Sequence, residues 1–296
     1  MNKKLIGTLC AIGAAVCYGT NPLGALNLYA EGMNTPSVLF CRFGLAWIII
    51  ALVMIVKAVS RKESLRLTRR EFLTITALGI LFIFSSLTLY LSFRYMPAGV
   101  ASTILFTYPV MTAVIMTLFF HERVRIATVS AILLSLAGVL LLYWGDSGGT
   151  LSITGVVLVL VSALTYALYI IVVDKSPLPM SSFKINFYVL FYCALGMALF
   201  ALVSRQPLML PSTPTAWLWV SWLAIVPAIM ALVMMVYAAK YLGSTPTAIL
   251  GALEPTTAVL IGVFLFDEPF TFRLLVGIVL ILAAVTIIVL RRRNPA

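Results

Sequence analysis

Two charges, Arg42 and Glu254, stand inside otherwise apolar stretches of this chain. A charge near the centre of a bilayer costs at least about 2.5–3.5 kcal/mol on insertion scales, so each must face a partner or a wet cavity. Arg42 lies about six residues from the outer end of its stretch, roughly 9 Å deep at 1.5 Å per residue. Glu254 lies about eight residues from the inner end of its own, roughly 12 Å deep. In a hydrocarbon core about 30 Å thick their heights differ by roughly 9 Å, a gap that long side chains and water partly bridge. Two chemistries fit. The pair neutralises itself and ties the halves of the chain together, or it binds opposite poles of a substrate, with Glu254 also placed to exchange a proton. Around the charges lie Tyr18, Asn21, Tyr108, Tyr166, Tyr169, Tyr188 and Tyr192, all within apolar stretches. A tyrosine in mid-membrane has to find a hydrogen-bond partner. Each alone reads as a core residue, but their number suggests a polar, aromatic-lined cavity.

Other chemistry is missing. His121 is the one histidine and sits at the end of an apolar stretch, where it reads as a solvated cap residue. Cys10, Cys17, Cys41 and Cys193 all fall in apolar stretches without ligand spacing, and read as small hydrophobes. There is no His-Glu-x-x-His, no Ser/His/Asp set and no Gly-rich phosphate loop, so no enzyme, ATP-driven pump, metal or cofactor is expected. Nucleic acid is not expected either, despite a net charge of +11.

The elements that position these residues follow from composition. The chain is 62% hydrophobic and 10% charged, with a mean hydropathy of +1.12. Lipid must be the solvent for much of it. Ten apolar spans emerge, near 5–27, 36–56, 72–93, 98–119, 126–144, 153–173, 184–203, 216–239, 246–266 and 272–290. The apolar start after Lys3 and Lys4 reads as the first span; no small-residue cleavage site follows it, which argues against a signal peptide. With the N-terminus inside, 16 of the 20 basic residues fall in cytoplasmic segments and only Arg94, Arg205 and Arg273 outside. That bias places both termini in the cytoplasm and assigns the basic surplus to topology and anionic lipid heads.

The spans repeat. An offset of 146 aligns Tyr95 with Tyr241, Pro109 with Pro255, Phe120 with Phe266 and Glu122 with Glu268. An offset of 148 aligns residues 7–18 with 155–166, including Tyr18 with Tyr166. Tyr108 is thus the repeat mate of Glu254. Two five-span units result, 1–147 and 148–296, and because five is odd the second enters the membrane inverted. Pro109 and Pro255 fall midway along equivalent spans, where each deletes a backbone hydrogen bond and orphans the carbonyl of Leu105 or Gly251. Helices broken at matching positions point to a transporter's central site. On the first span Gly7, Ala11, Ala15 and Gly19 recur every four residues, a face suited to close helix packing.

With ten spans in two halves, each carrying Pro…Glu before its last helix, the chain resembles the drug/metabolite transporter superfamily, its EamA branch most closely. The motif is carried by 108–122 and more closely by 253–269, with His121 and Asp267 where that family commonly has glycine. The resemblance implies a basket of helices around a central cavity, with the fifth and tenth spans at a dimer or peripheral face. It also implies export or exchange of small metabolites, often amino acids.

The sequence therefore reads as an all-α integral membrane protein of the inner (plasma) membrane, a secondary transporter of a small polar or zwitterionic metabolite working by alternating access. The substrate-binding set is Tyr18, Asn21, Arg42, Tyr108, Tyr166, Tyr169, Tyr192 and Glu254, with helix breaks at Pro109 and Pro255. Its partners are the substrate, the lipid bilayer and, in one reading, protons; monomer and homodimer both remain open. A transporter-fold sensor or scaffold without transport is the alternative, and a lipid-modifying enzyme a more distant one.

Overall fold

In lipid the backbone has no water to bond, so each crossing segment closes its own hydrogen bonds as a helix. The computed structural model describes residues 3–61, 65–96, 98–122, 126–143, 152–176, 178, 180–265 and 271–293, and all regular structure among them is helical. The helices are α1 (Lys3–Gly19), α2 (Asn21–Ala30), α3 (Thr35–Arg61), α4 (Arg69–Ser92), α5 (Ala98–Leu105), α6 (Tyr108–Phe120) and α7 (Ile126–Tyr143). They continue with α8 (Ile153–Lys175), α9 (Ser182–Val203), α10 (Pro214–Leu223), α11 (Ala231–Leu242), α12 (Ser244–Leu250), α13 (Leu253–Leu265) and α14 (Phe272–Arg293). A π-helical stretch, Ala224–Met230, joins α10 to α11 around Pro227. The sequence motif at 266–269 and the basic residues Lys62, Arg123 and Arg125 lie outside the described residues.

Among the described residues six segments are long and apolar enough to cross a bilayer: Lys3–Ala30, Thr35–Val56, Arg69–Ser92, Ile153–Lys175, Ser182–Val203 and Pro214–Leu242. Tyr108–Phe120, Ile126–Leu141 and Leu275–Ala284 are shorter apolar helices. Their outward side chains, among them Leu52, Val56, Leu118, Leu133 and Leu202, are more than half exposed, a surface that suits hydrocarbon and not water. Polar caps mark the helix starts. The Thr68 hydroxyl accepts from the Glu71 amide while the Glu71 carboxylate accepts from the Thr68 amide, and Ser152, Ser181 and Thr213 cap α8, α9 and α10.

Several apolar stretches that read as continuous are interrupted. The first is divided at Thr20, with Pro22 in the opening turn of α2, where φ is already set for a helix and no N–H is required. The stretch from 98 to 120 breaks at 106–107 with Pro109 opening α6, and the stretch from 244 to 265 breaks at 251–252 ahead of Pro255. The Gly251 carbonyl, expected to be orphaned, is taken up by the Glu254 amide at 2.9 Å. α6 ends at His121, exposed and in the left-handed conformation with φ 52°.

Close packing follows the small residues. α1 lies along α11 and α13, with Ala11 and Ala15 1% exposed. A Cβ on Gly7 would stand 2.9 Å from Leu242 and Tyr241 side chains, so the glycine face is a packing face. α7 and α14 pair along their length, with the Gly277 carbonyl 2.7 Å from where a Gly138 Cβ would stand.

Candidate functional site

The helix breaks carry the polar residues inward. Asn21 is the first residue of α2, Tyr108 the first of α6, and Glu254 lies in the first turn of α13. A first turn leaves amide N–H groups unbonded and carries partial positive charge, which favours a carboxylate such as Glu254. Arg42 comes from α3, and is 2% exposed. These elements enclose about 420 Å³ of space, open solvent at its mouth included, lined by Tyr18, Asn21, Arg42, Phe82, Ser85, Ser86, Leu89, Tyr90, Leu105, Tyr166 and Glu254.

Arg42 is held by aromatic side chains. Its Nη1 donates to the Tyr90 hydroxyl at 2.6 Å, and Tyr90 in turn donates to Asn21 Oδ1 at 3.2 Å. The guanidinium carbon lies 5.1 Å from the Phe43 ring centre and 5.6 Å from that of Tyr90, within cation–π range. Glu254 lines the same cavity, yet no ion pair within 4.0 Å joins it to Arg42, and no described residue donates a hydrogen bond to its carboxylate. Arg42 and Glu254 therefore face one space without a direct ion pair.

Tyrosines form one wall. Tyr18 meets Tyr166 edge-on with ring centres 6.2 Å apart, and Tyr108 meets Tyr166 at 5.0 Å. Tyr169 stacks on Tyr166 at 6.4 Å and abuts Phe82 at 5.2 Å. The hydroxyls of Tyr18, Tyr108, Tyr166 and Tyr169 are buried without a partner among the described residues. Buried polar groups are normally hydrogen-bonded, so four together mark a place where water or a ligand completes the bonding. The Tyr108 hydroxyl occupies the notch at Gly251, where a Cβ would stand 1.7 Å from it. Gly19 packs against the first turn of α13, where its Cβ would stand 2.6 Å from both the Glu254 carbonyl oxygen and the Thr257 Cβ.

Of the eight residues read as substrate-binding, Tyr18, Asn21, Arg42, Tyr166 and Glu254 line the cavity together. Tyr108 and Tyr169 stand behind Tyr166 and do not line it. Tyr192 is elsewhere: its hydroxyl shares a 2.8 Å bond with Thr76, and its ring base packs over Gly79. Tyr188, also outside the cavity, donates to the Leu65 carbonyl. Sequence reading passed over Tyr90, Ser85 and Ser86. The signal was the face of α4 on which 86 and 90 stand one turn apart, polar inside an apolar helix. Among the described residues no three His, Cys, Asp or Glu side chains group as metal ligands.

Apolar helices of bilayer length around an internal cavity that holds an unpaired arginine and glutamate define a multi-pass membrane protein. The chain belongs to the EamA-like transporter family, whose model matches residues 5–144 and 153–290, and so falls with the drug/metabolite transporters. It is 30% identical over 189 residues to an uncharacterized transporter of Archaeoglobus fulgidus, covering 64% of this chain and 66% of that one. It is 32% identical over 144 residues to the uncharacterized transporter YvbV of Bacillus subtilis, covering 48% and 46%. A third relative, an uncharacterized transporter of Clostridium kluyveri, is 22% identical over 282 residues, covering 93% and 90%. The matched stretches thus span less than two thirds of the first two relatives and most of the third. A protein of known crystal structure superposes with a TM-score of 0.77 at 21% identity, over 98% of this chain and 99% of its own, which shows the fold.

Proposed function

We propose that the protein is a secondary transporter that exports or exchanges a small zwitterionic metabolite, an amino acid fitting best, by alternating access. One observation carries this reading. Arg42 and Glu254 both line a single cavity and do not pair with each other, which leaves one pole for a carboxylate and one for an amine. The unpartnered hydroxyls of Tyr18 and Tyr166 and the faces of Phe82 and Leu89 supply the rest of a lining for a small molecule with an apolar side chain. Glu254, without a fixed partner, is also placed to exchange a proton when the amine leaves.

The broken segments support a scheme of ten crossings in two inverted units, 1–147 and 148–296. Counting α1–α2, α5–α6, α10–α11 and α12–α13 as interrupted single crossings gives ten helical passages among the described residues. The repeat mates Tyr18 and Tyr166 meet face to edge at the centre. Tyr108 and Glu254, mates at offset 146, each open a half-helix. With the basic residues inside, both termini lie in the cytoplasm.

The test is efflux from liposomes containing purified protein and a panel of trapped amino acids, with and without a pH gradient. Removing a hydrogen bond to a charged group costs about 1.5–3 kcal/mol, so Arg42→Ala and Glu254→Gln should each slow selective efflux roughly ten- to hundredfold. If both variants transport normally the site is wrong, and if no amino acid moves with the wild type the substrate class is wrong.

A further inference from the structure

We propose that Tyr90 is a specificity-determining positioning residue: through its hydroxyl it turns Arg42 and Asn21 together into a hydrogen-bond-donor pole that selects the carboxylate end of the substrate. The inference rests on the proposed substrate cavity and deepens it. Arginine has five N–H groups and no acceptor, so the contact of Arg42 Nη1 with Tyr90 at 2.6 Å fixes the tyrosine oxygen as acceptor. The hydroxyl's own proton then goes to Asn21 Oδ1 at 3.2 Å, the other described partner of that oxygen. With Oδ1 turned to Tyr90, the asparagine's two N–H donors on Nδ2 are turned away from it toward the cavity that Asn21 lines. The direction of every bond in the relay follows from the one group that cannot accept.

Tyr90 is itself held from several sides. It is 1% exposed, its carbonyl accepts from the Tyr29 hydroxyl at 3.1 Å, and its ring lies 5.6 Å from that of Phe93. Tyr29 also shares a bond with Thr35 at 3.2 Å, so the relay is anchored to α2, α3 and α4 at once. Ser86, on the same face of α4, adds a further hydroxyl to the cavity wall. The pole offers several donors to a small anion. Removing the Tyr90 hydroxyl frees Asn21 to turn an oxygen into the cavity and frees Arg42 to swing, while the ring's packing stays.

The experiment is a thermal-unfolding titration of the purified full chain in detergent, using L-amino acids each paired with its own amide. A site whose buried donors expect a carboxylate rejects the analogue that lacks it. Wild type is expected to need roughly tenfold less acid than amide for half-maximal stabilisation, a gap the size of one bond to a charged group. In Tyr90→Phe the acid should weaken to the level of the amide while the amide's own midpoint stays put. If acid and amide weaken equally, Tyr90 only packs and the proposal falls. A wild type that does not distinguish any acid from its amide overturns it as well. Asn21→Asp keeps the acceptor toward Tyr90 and puts an oxygen in the cavity; it should erase the acid preference even if Tyr90→Phe fails to fold, and an unchanged preference refutes the relay. Acid-selective binding that depends on Tyr90, with no movement of the same compound in liposomes, would refute transport and leave this inference standing.

Discussion

Alanine at Gly251 should be among the most damaging single-methyl changes in the protein, and phenylalanine at Tyr108 should partly undo it. The added methyl would stand 1.7 Å from the Tyr108 hydroxyl oxygen, 2.9 Å from the Ala248 carbonyl oxygen and 3.0 Å from Tyr108 Cζ. Ordinary contact is about 3.5 Å, so the hydroxyl has to retreat by roughly 1.8 Å. Tyr108 is 1% exposed and its ring sits 5.7 Å from Phe106 and 5.0 Å from Tyr166, so both must shift with it. Overpacking costs about 1–3 kcal/mol, and a collision this deep places Gly251→Ala at the upper end. Tyr108→Phe alone removes a buried hydroxyl without a partner and should change stability by no more than about 1 kcal/mol. In the double variant the remaining shortfall to the ring is roughly 0.5 Å, while the Ala248 carbonyl stays close, so rescue is partial. The double variant should therefore recover at least about 1 kcal/mol, a clear departure from additivity. Unfolding of the four proteins in mixed micelles measures the cycle. A double variant no more stable than Gly251→Ala would refute the notch.

Three further expectations follow from other contacts. A cysteine placed at Arg205 should react with an impermeant maleimide from outside the cell and one at Arg66 only after permeabilisation; the reverse pattern overturns the orientation drawn from the basic residues. Ser162 donates to the Ser85 carbonyl at 2.7 Å between α8 and α4. Interhelical bonds of this kind average about 0.6 kcal/mol in membrane proteins, so Ser162→Ala should lower stability by that order, and a loss above about 2 kcal/mol would indicate a larger repacking. The Asp174 carboxylate accepts from both the amide and the hydroxyl of Ser244 at 3.0 Å, capping α12 from a neighbouring helix. Asp174→Ala should then cost about 1 kcal/mol of unfolding free energy, and no loss at all would show that solvent replaces the cap.

Much of this architecture was legible because lipid makes the sequence blunt. Charges in apolar stretches are costly, so Arg42 and Glu254 stood out, and the structure places them on one cavity. Prolines 109 and 255 predicted interrupted helices because they remove a donor wherever they fall. The break at Thr20 was missed although Asn21-Pro22 announces it, since the apolar run continues through it without a gap. The π-helical stretch around Pro227 was missed for the same reason. Tyr192 was misplaced because α9 is apolar on every face. In a membrane the side of a helix that meets lipid is as hydrophobic as the side that meets protein, so periodicity does not report which way a residue points. Tyr90 was passed over because no charge falls inside its apolar stretch; its partner Arg42 lies 48 positions earlier and only folding brings them together.

The contact at Gly19 has a mechanical consequence. α1 ends there, one residue before the joint at Thr20, and its backbone lies directly against the carbonyl of Glu254 at the joint between α12 and α13. Gly19 brings no side chain and the Thr257 Cβ closes the same contact from α13, so the two joints mesh like teeth without backlash. Close-packed contacts of this kind transmit displacement and do not absorb it. A displacement of α1 at Gly19 is therefore passed directly to the first turn of α13, which carries Glu254.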